Sequence, residues 1–162
     1  MTGVRRTFPR YPACPVCGDP AVNPLALGVV WEWDEGSGRV MGRFTPDRRH
    51  GGYADRMHGG ILSTLLDECM AWAAAMATGS YCSTGELKVR FKRPARLGQE
   101  LAVTGWSEAA WGPYVRTRGE VWAAGVTLAT AAATFAALPR EEALALREAL
   151  TFGPTDVDVL AR

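Results

Sequence analysis

The sequence has 162 residues, 48% of them hydrophobic, and its 18 basic and 17 acidic side chains leave a net charge of +1. This length fits one domain with a core of its own. A charge so close to zero creates no overall field that would attract nucleic acid or an anionic membrane, so we expect neither as a partner.

The first 26 residues form a lead-in rich in Pro, Cys and Gly, and its segment CPVCGDPAVNPLAL predicts turns rather than regular structure. The chain has no apolar run of signal-peptide length at its start and nothing approaching the ~20 apolar residues of a membrane span, which predicts a cytoplasmic location. The cytosol keeps thiols reduced, so the four cysteines are expected to be free.

Cys14 and Cys17 form a CxxC pair, which is compatible with half a zinc site, a redox pair or a turn with two small side chains. Zinc needs about four ligands, and the remaining Cys and His residues offer no second pair at metal spacing. We therefore predict no metal site and no cofactor, and the role of the pair stays open.

Leu27 begins a different pattern. LGVVWEWDEGSGRVMGRF has two β-prone runs around a turn at 34–38 whose glycines favour a hairpin. After Gly59, apolar residues recur at intervals of three and four, which predicts a helix that starts at Gly59-Gly60 and ends near Thr78-Gly79. At about 1.5 Å per residue this helix is close to 30 Å long. It is apolar on nearly every face and is therefore expected to be buried.

The second half predicts strands in GELKVRFKRP, QELAVTGWSEA, PYVRTRGEVWA and VTLATAAATFAAL, and their short connections favour an antiparallel meander. PREEALALREAL predicts a short helix, and the final residues GPTDVDVLAR are expected to be loosely held. A single buried helix requires a sheet that curls around it and a further cover for its open side, which a second copy of the chain would supply.

HGGILSTLLDE, at 58–68, resembles the helix start of hotdog-fold acyl-CoA thioesterases of the PaaI-like branch. CPVCGDPAVNPLAL, GGYADRMHGG and TGELKVRFKRPARLGQEL resemble further segments of this family, in the same order along the chain. The resemblance implies an α+β hotdog fold, with a long central helix wrapped by a five-stranded antiparallel sheet. It divides the chain into the lead-in at 1–26, a hotdog domain at 27–138, and a C-terminal helix and tail at 139–162.

The same resemblance implies a homodimer that pairs edge to edge, often as a dimer of dimers, with active sites at the interface. The substrate is then an acyl-CoA, hydrolysed to a carboxylic acid and free CoA. The catalytic acid falls on Asp67, nine residues beyond His58, as nucleophile or as general base toward water. The backbone amides of Gly59 and Gly60 lack intrahelical partners and are expected to polarise the thioester carbonyl.

Three neighbouring positions have alternative interpretations. Thr84 aligns with a Ser or Thr position that orients the acid or the water, although it could equally be a strand-start hydroxyl. His58 could act as a base, but a hydrogen-bonding role at the helix start is favoured. Glu68 projects about 100° away from Asp67 and is expected to form a surface or interface ion pair. Some relatives carry Asn where this chain has Gly52, so that polar role is not carried over.

Lys92, Arg93 and Arg96 surround Pro94 and form the densest basic turn, which suits the phosphates of CoA, with a solvated turn as the alternative. An apolar pocket for the acyl group could draw on Tyr53, Met57, Leu62 and Trp72. The alternative function is a noncatalytic acyl-CoA binding or sensing protein, which would have no evident use for an acid at 67. A hydroxyacyl thioester hydratase is disfavoured by the HGG helix start.

Overall fold

The structure, a computed structural model, describes residues 3–162, so the first two residues of the lead-in lie outside it. Residues 3–162 form nine strands and two α-helices in this order: β1 (Arg5–Thr7), β2 (Glu32–Asp34), β3 (Arg39–Phe44), β4 (Gly51–Tyr53), β5 (Arg56–Met57), α1 (Gly59–Thr78), β6 (Cys82–Phe91), β7 (Leu101–Trp111), β8 (Tyr114–Ala123), β9 (Val126–Ala137) and α2 (Arg140–Ala149). No helix in this part of the chain is long and apolar enough to cross a membrane.

Seven strands form one sheet in the order β1-β2-β3-β7-β8-β9-β6, and every neighbouring pair is antiparallel. The five strands from β3 to β6 wrap the long helix, which confirms the predicted α+β hotdog arrangement. The two three-residue strands β1 and β2 extend this sheet beyond β3. The hairpin predicted at 34–38 is also confirmed, as the connection between β2 and β3.

Helix α1 lies against the concave face of the sheet. Leu65, Leu66, Cys69 and Met70 are fully buried on this helix, which packs mainly on β7 and β8. Each such aliphatic side chain contributes roughly 1.5–3 kcal/mol through burial. The helix can approach so closely because the sheet has Gly119 beneath it, where an added Cβ would lie 3.1 Å from Leu66 and Met70 side-chain atoms.

The open side of α1 is partly covered by the two ends of the same chain. Phe8 stacks on Trp72 with ring centroids 4.5 Å apart. At the other end, Val157 and Val159 are buried, and the Val157 N–H donates to the Thr7 carbonyl at 2.8 Å. The expectation of a loosely held tail is therefore wrong, because its alternate valines enter the core.

The two edges of the large sheet differ. One ends in the three-residue β1, whereas the other ends in β6, which is ten residues long and pairs only with β9 within residues 3–162. An exposed edge strand of this length offers a row of unpaired backbone donors and acceptors to another strand. The β6 edge is thus the part of the sheet most suited to pairing with a second chain.

Candidate active site

Asp67 and Thr84, which come from different elements, meet on the side of α1 that faces β6. The Thr84 hydroxyl donates to Asp67 Oδ1 at 2.9 Å. The pairing register of β6 shifts between Thr84 and Glu86, and such a bulge re-aims the side chains beside it. Asp67 is half-buried, and burial raises its pKa while the Thr84 hydrogen bond acts in the opposite direction. The result is an oriented carboxylate with one oxygen held by the protein.

His58 caps the start of α1. Its Nδ1 accepts a hydrogen bond from the Gly60 N–H at 2.9 Å, and its own backbone N–H donates to the His50 carbonyl at 2.8 Å. This corrects the prediction for Gly60, whose amide is occupied by the imidazole and is not free to bind a carbonyl. The Gly59 N–H has no hydrogen-bond partner within residues 3–162. One free amide therefore remains at the helix start.

Gly52 lies directly against this cap. A Cβ at this position would lie 3.1 Å from His58 Cα and 3.3 Å from its imidazole ring. Such a contact is tighter than ordinary van der Waals packing, so a side chain here would displace the imidazole. Because glycine has no Cβ, the backbone at Gly52 can lie this close to His58.

Asp67 and Gly59 lie too far apart within one protomer to act on the same carbonyl. They are eight residues apart on one helix, which corresponds to about 12 Å along its axis. Thr84, beside Asp67, is near the start of β6, whereas Phe91 ends that strand and places its ring 3.3 Å from where a Gly59 Cβ would be. The acid and the free amide thus lie near opposite ends of β6.

The predicted pocket residues do not form a pocket beside the acid. Met57 and Leu62 are buried in the core, Trp72 stacks on Phe8, and Tyr53 is 83% exposed. Five cavities of about 200 to 580 Å³ indent residues 3–162, and Asp67 lines none of these five. A single protomer therefore presents Asp67 without an enclosure for an acyl chain.

The three basic residues of the predicted turn do not converge. The Arg93 guanidinium donates to the Thr127 carbonyl at 3.2 Å, and Arg96 forms an ion pair with Asp55. Lys92 instead lines a cavity of about 580 Å³ on the outer face of the sheet. Lys88, Arg90 and Arg118 line the same cavity. Lys88 and Arg90 could be identified from the sequence, because charged and apolar residues alternate along β6.

Glu68 forms no ion pair within one protomer, because no basic side chain lies within 4.0 Å of its carboxylate in the described part of the chain; an ion pair across an interface stays a prediction. Its Oε2 instead lies 3.3 Å from Cys14 Sγ. All four cysteines are free thiols. The two neighbouring acids of α1 therefore have separate surroundings, one beside β6 and the other beside the lead-in.

The chain is similar to thioesterase superfamily proteins both in sequence and in structure. Residues 55–130 match the family model of the thioesterase superfamily. A thioesterase superfamily protein of known crystal structure is 29% identical with a TM-score of 0.67, and the alignment covers 77% of this chain. This chain spans only 60% of that relative's length.

Two further structures have the same fold. The Escherichia coli PaaI protein, from the phenylacetic acid degradation operon, is 21% identical with a TM-score of 0.64, over 70% of this chain and 81% of that one. A Streptococcus mutans protein determined with bound acetyl-CoA is 20% identical with a TM-score of 0.59, over 62% of this chain and 82% of that one. No match was found among curated proteins.

Proposed function

We propose that this chain, which has the hotdog fold and matches the thioesterase superfamily over residues 55–130, hydrolyses acyl-CoA thioesters to a carboxylic acid and free CoA. The observation that carries this proposal is the Asp67 carboxylate, half-buried on the central helix and held by the Thr84 hydroxyl. A thioester needs a nucleophile or a base for water, and an oriented carboxylate can be either. A protein that only binds acyl-CoA would not require this arrangement.

In the proposed reaction Asp67 acts on the thioester carbonyl carbon, directly or by taking a proton from water. The free N–H of Gly59 is the donor available for the negative charge that develops on the carbonyl oxygen. The C–S bond then breaks, and the CoA sulfur receives the proton that Asp67 took from water. In the direct route, water hydrolyses the acyl–Asp67 anhydride, which releases the carboxylic acid, restores the carboxylate and supplies the proton for CoA. His58 positions the helix start in this scheme and does not take the substrate proton.

The separation of Asp67 and Gly59 favours a homodimer in which each site uses both chains. We propose that β6 pairs with its copy in an antiparallel manner, which continues the sheet across its long free edge. If the two-fold axis passes through Lys88, the register shift between Thr84 and Glu86 places Thr84 opposite the partner's Phe91. Asp67 of one protomer then approaches the Gly59 amide of the other. Further pairing of dimers into a tetramer remains compatible with the free outer face.

Lys92 and its neighbours on the outer face are the groups we propose for the phosphates of CoA. Lys88, Arg90 and Arg118 lie beside Lys92 around one cavity, and several cations can together hold a diphosphate and a ribose phosphate. Arg93 and Arg96 have protein partners and are assigned a secondary role. The acetyl-CoA bound to the Streptococcus mutans relative supports a ligand of this class.

The function is tested by the release of free thiol from a panel of short, long and aromatic acyl-CoAs, with a blank for the protein's own four cysteines. We expect turnover of at least one member. Measurable acyl-CoA binding without turnover of any member would contradict hydrolysis and favour the binding or sensing function instead.

Thr84→Val should lower kcat/KM by roughly 10-fold, since a hydrogen bond to a charged group is lost. The Thr84 hydrogen bond lowers the pKa of Asp67, so its removal raises that pKa. Because Asp67 acts in its ionised form, activity lost on acidification will be lost at a higher pH in the variant. Thr84→Ser keeps the hydroxyl and should retain the original acid limb. Identical profiles for valine and serine would exclude a positioning role.

A further inference from the structure

The lead-in and α1 bring three potential metal ligands together. Cys14 Sγ, Cys17 Sγ and a carboxylate oxygen of Glu68 all lie within 4.8 Å of one another. A tetrahedral zinc ion at about 2.3 Å from sulfur and 2.0–2.2 Å from oxygen places its ligand atoms roughly 3.3–3.8 Å apart. The cluster is therefore of the right size for zinc with only small side-chain adjustments.

The backbone around the two cysteines has the form of a compact turn that favours thiolates. The Val16 N–H donates to Cys14 Sγ at 3.3 Å, and the Gly18 N–H donates to the Cys14 carbonyl at 3.0 Å. A Cβ on Gly18 would lie 2.1 Å from the Cys14 carbonyl oxygen, so no other residue fits this turn without distortion.

A buried donor faces the third ligand. Trp31 is 2% exposed, and its indole N–H has no hydrogen bond of regular geometry within residues 3–162. The Glu68 carboxylate lies close to this N–H. Donors of this kind commonly orient a carboxylate that binds a metal. The indole is thus a buried donor available to orient Glu68 as a ligand.

No basic side chain accompanies the cluster. As ligands, the two thiolates and the carboxylate would carry three negative charges, and no Lys, Arg or His side chain of the described residues forms a salt bridge with Glu68. Buried charges are normally paired or bound to a metal. A soft divalent cation would satisfy all three groups at once.

We propose that Cys14, Cys17 and Glu68 bind one zinc ion that ties the lead-in to the central helix. The fourth position faces an apolar cavity of about 200 Å³ lined by the three ligands, Trp72 and Cys82, where a water molecule completes the tetrahedron. The pair of cysteines alone predicts no such site, because the third ligand is 54 positions away from Cys14 in the sequence. The site is independent of the proposed hydrolysis.

The test is zinc binding by the full-length protein, reduced, stripped with a chelator and equilibrated with zinc alone. We expect one zinc per protomer by elemental mass spectrometry and, after cobalt substitution, thiolate-to-cobalt charge-transfer absorption. Cys14→Ser should lose stoichiometric binding, and Glu68→Gln should weaken it by about 10–100-fold. Cys82→Ser is the matched control, because the Cys82 thiol lines the same cavity but does not belong to the cluster. It is hydrogen-bonded to the Thr78 hydroxyl at 3.4 Å.

Circular dichroism of each variant establishes that it is folded, and the cobalt spectrum of the unmodified protein tests the site even where Cys14→Ser does not fold. Zinc bound equally by Cys14→Ser and Cys82→Ser would overturn the proposal. So would reduced protein that binds no zinc, or a Cys14–Cys17 disulfide in protein purified without reductant and metal, which would identify a redox pair. Because the readout is metal content, it is unaffected if no acyl-CoA is hydrolysed.

Discussion

Replacement of Asp67 by asparagine should lower kcat/KM for acyl-CoA hydrolysis by about 10²–10⁴-fold, the range expected for loss of a positioned base. Asparagine has nearly the same shape and can still accept the hydrogen bond from Thr84 through its amide oxygen. It cannot take a proton from water or attack a carbonyl at neutral pH. The loss should therefore be chemical rather than structural, with substrate affinity and thermal unfolding close to those of the unmodified protein.

The measurement is thiol release with the best member of the acyl-CoA panel, together with acyl-CoA binding by calorimetry. Glu141→Gln is the matched control, since it makes the same change of charge at an exposed acid in the first turn of α2. An Asp67→Asn variant with more than a tenth of the original rate would mean that another group carries the chemistry.

Gly59→Pro should lower kcat/KM by about 10²–10³-fold, the usual effect of deleting one donor to a developing oxyanion. Proline removes the only free amide at the helix start without weakening the helix. Gly59 is the first helical residue, where proline is well tolerated, and His58 before it has the extended backbone that proline requires (ψ 131°). Gly59→Ala adds the same Cβ near Phe91 but keeps the N–H, so it separates crowding from loss of the donor.

Mixing the two inactive variants then tests whether each site uses both chains. A heterodimer of Asp67→Asn with Gly59→Pro has one site with both defects and one with neither. After dissociation and random reassociation, about one quarter of all sites should be intact. No recovery of activity, with heterodimers present by native mass spectrometry, would show that each site is built from a single chain.

The elements with strong periodic patterns were predicted correctly from sequence. The helix bounded by Gly59 and Gly79 follows from the spacing of its apolar residues and from a left-handed glycine at its end (φ 68°). The tail was misjudged because Val157 and Val159 are too few to form a pattern of their own. Their burial depends on contacts with the start of the chain, which local sequence does not reveal.

The site was harder to predict than the fold, because it depends on individual side-chain hydrogen bonds, which the spacing of residues in the sequence does not specify. The positions of Asp67 and Thr84 follow from the family resemblance, but only coordinates show that their side chains bond. No sequence rule indicates that the His58 ring occupies the Gly60 amide and leaves Gly59 free. Helix geometry gives the direction in which the Glu68 side chain projects, and an ion pair was predicted on that basis. It does not reveal the lead-in thiols that Glu68 contacts.

The pairing of the two chain ends has a consequence for how the protein folds. The backbone N–H groups of Arg10 and Thr151 each donate to the other residue's carbonyl. The Thr7 hydroxyl also donates to the Asp156 carboxylate, which lies 149 positions away in the sequence. Contacts of such high sequence separation cost the most loop entropy and form late. During synthesis the lead-in must wait until residues 151–157 have left the ribosome before it can dock against them. The fold is therefore completed only after residues 151–159 have been made, and removal of residues 151–162 would leave the start of the chain without its neighbour.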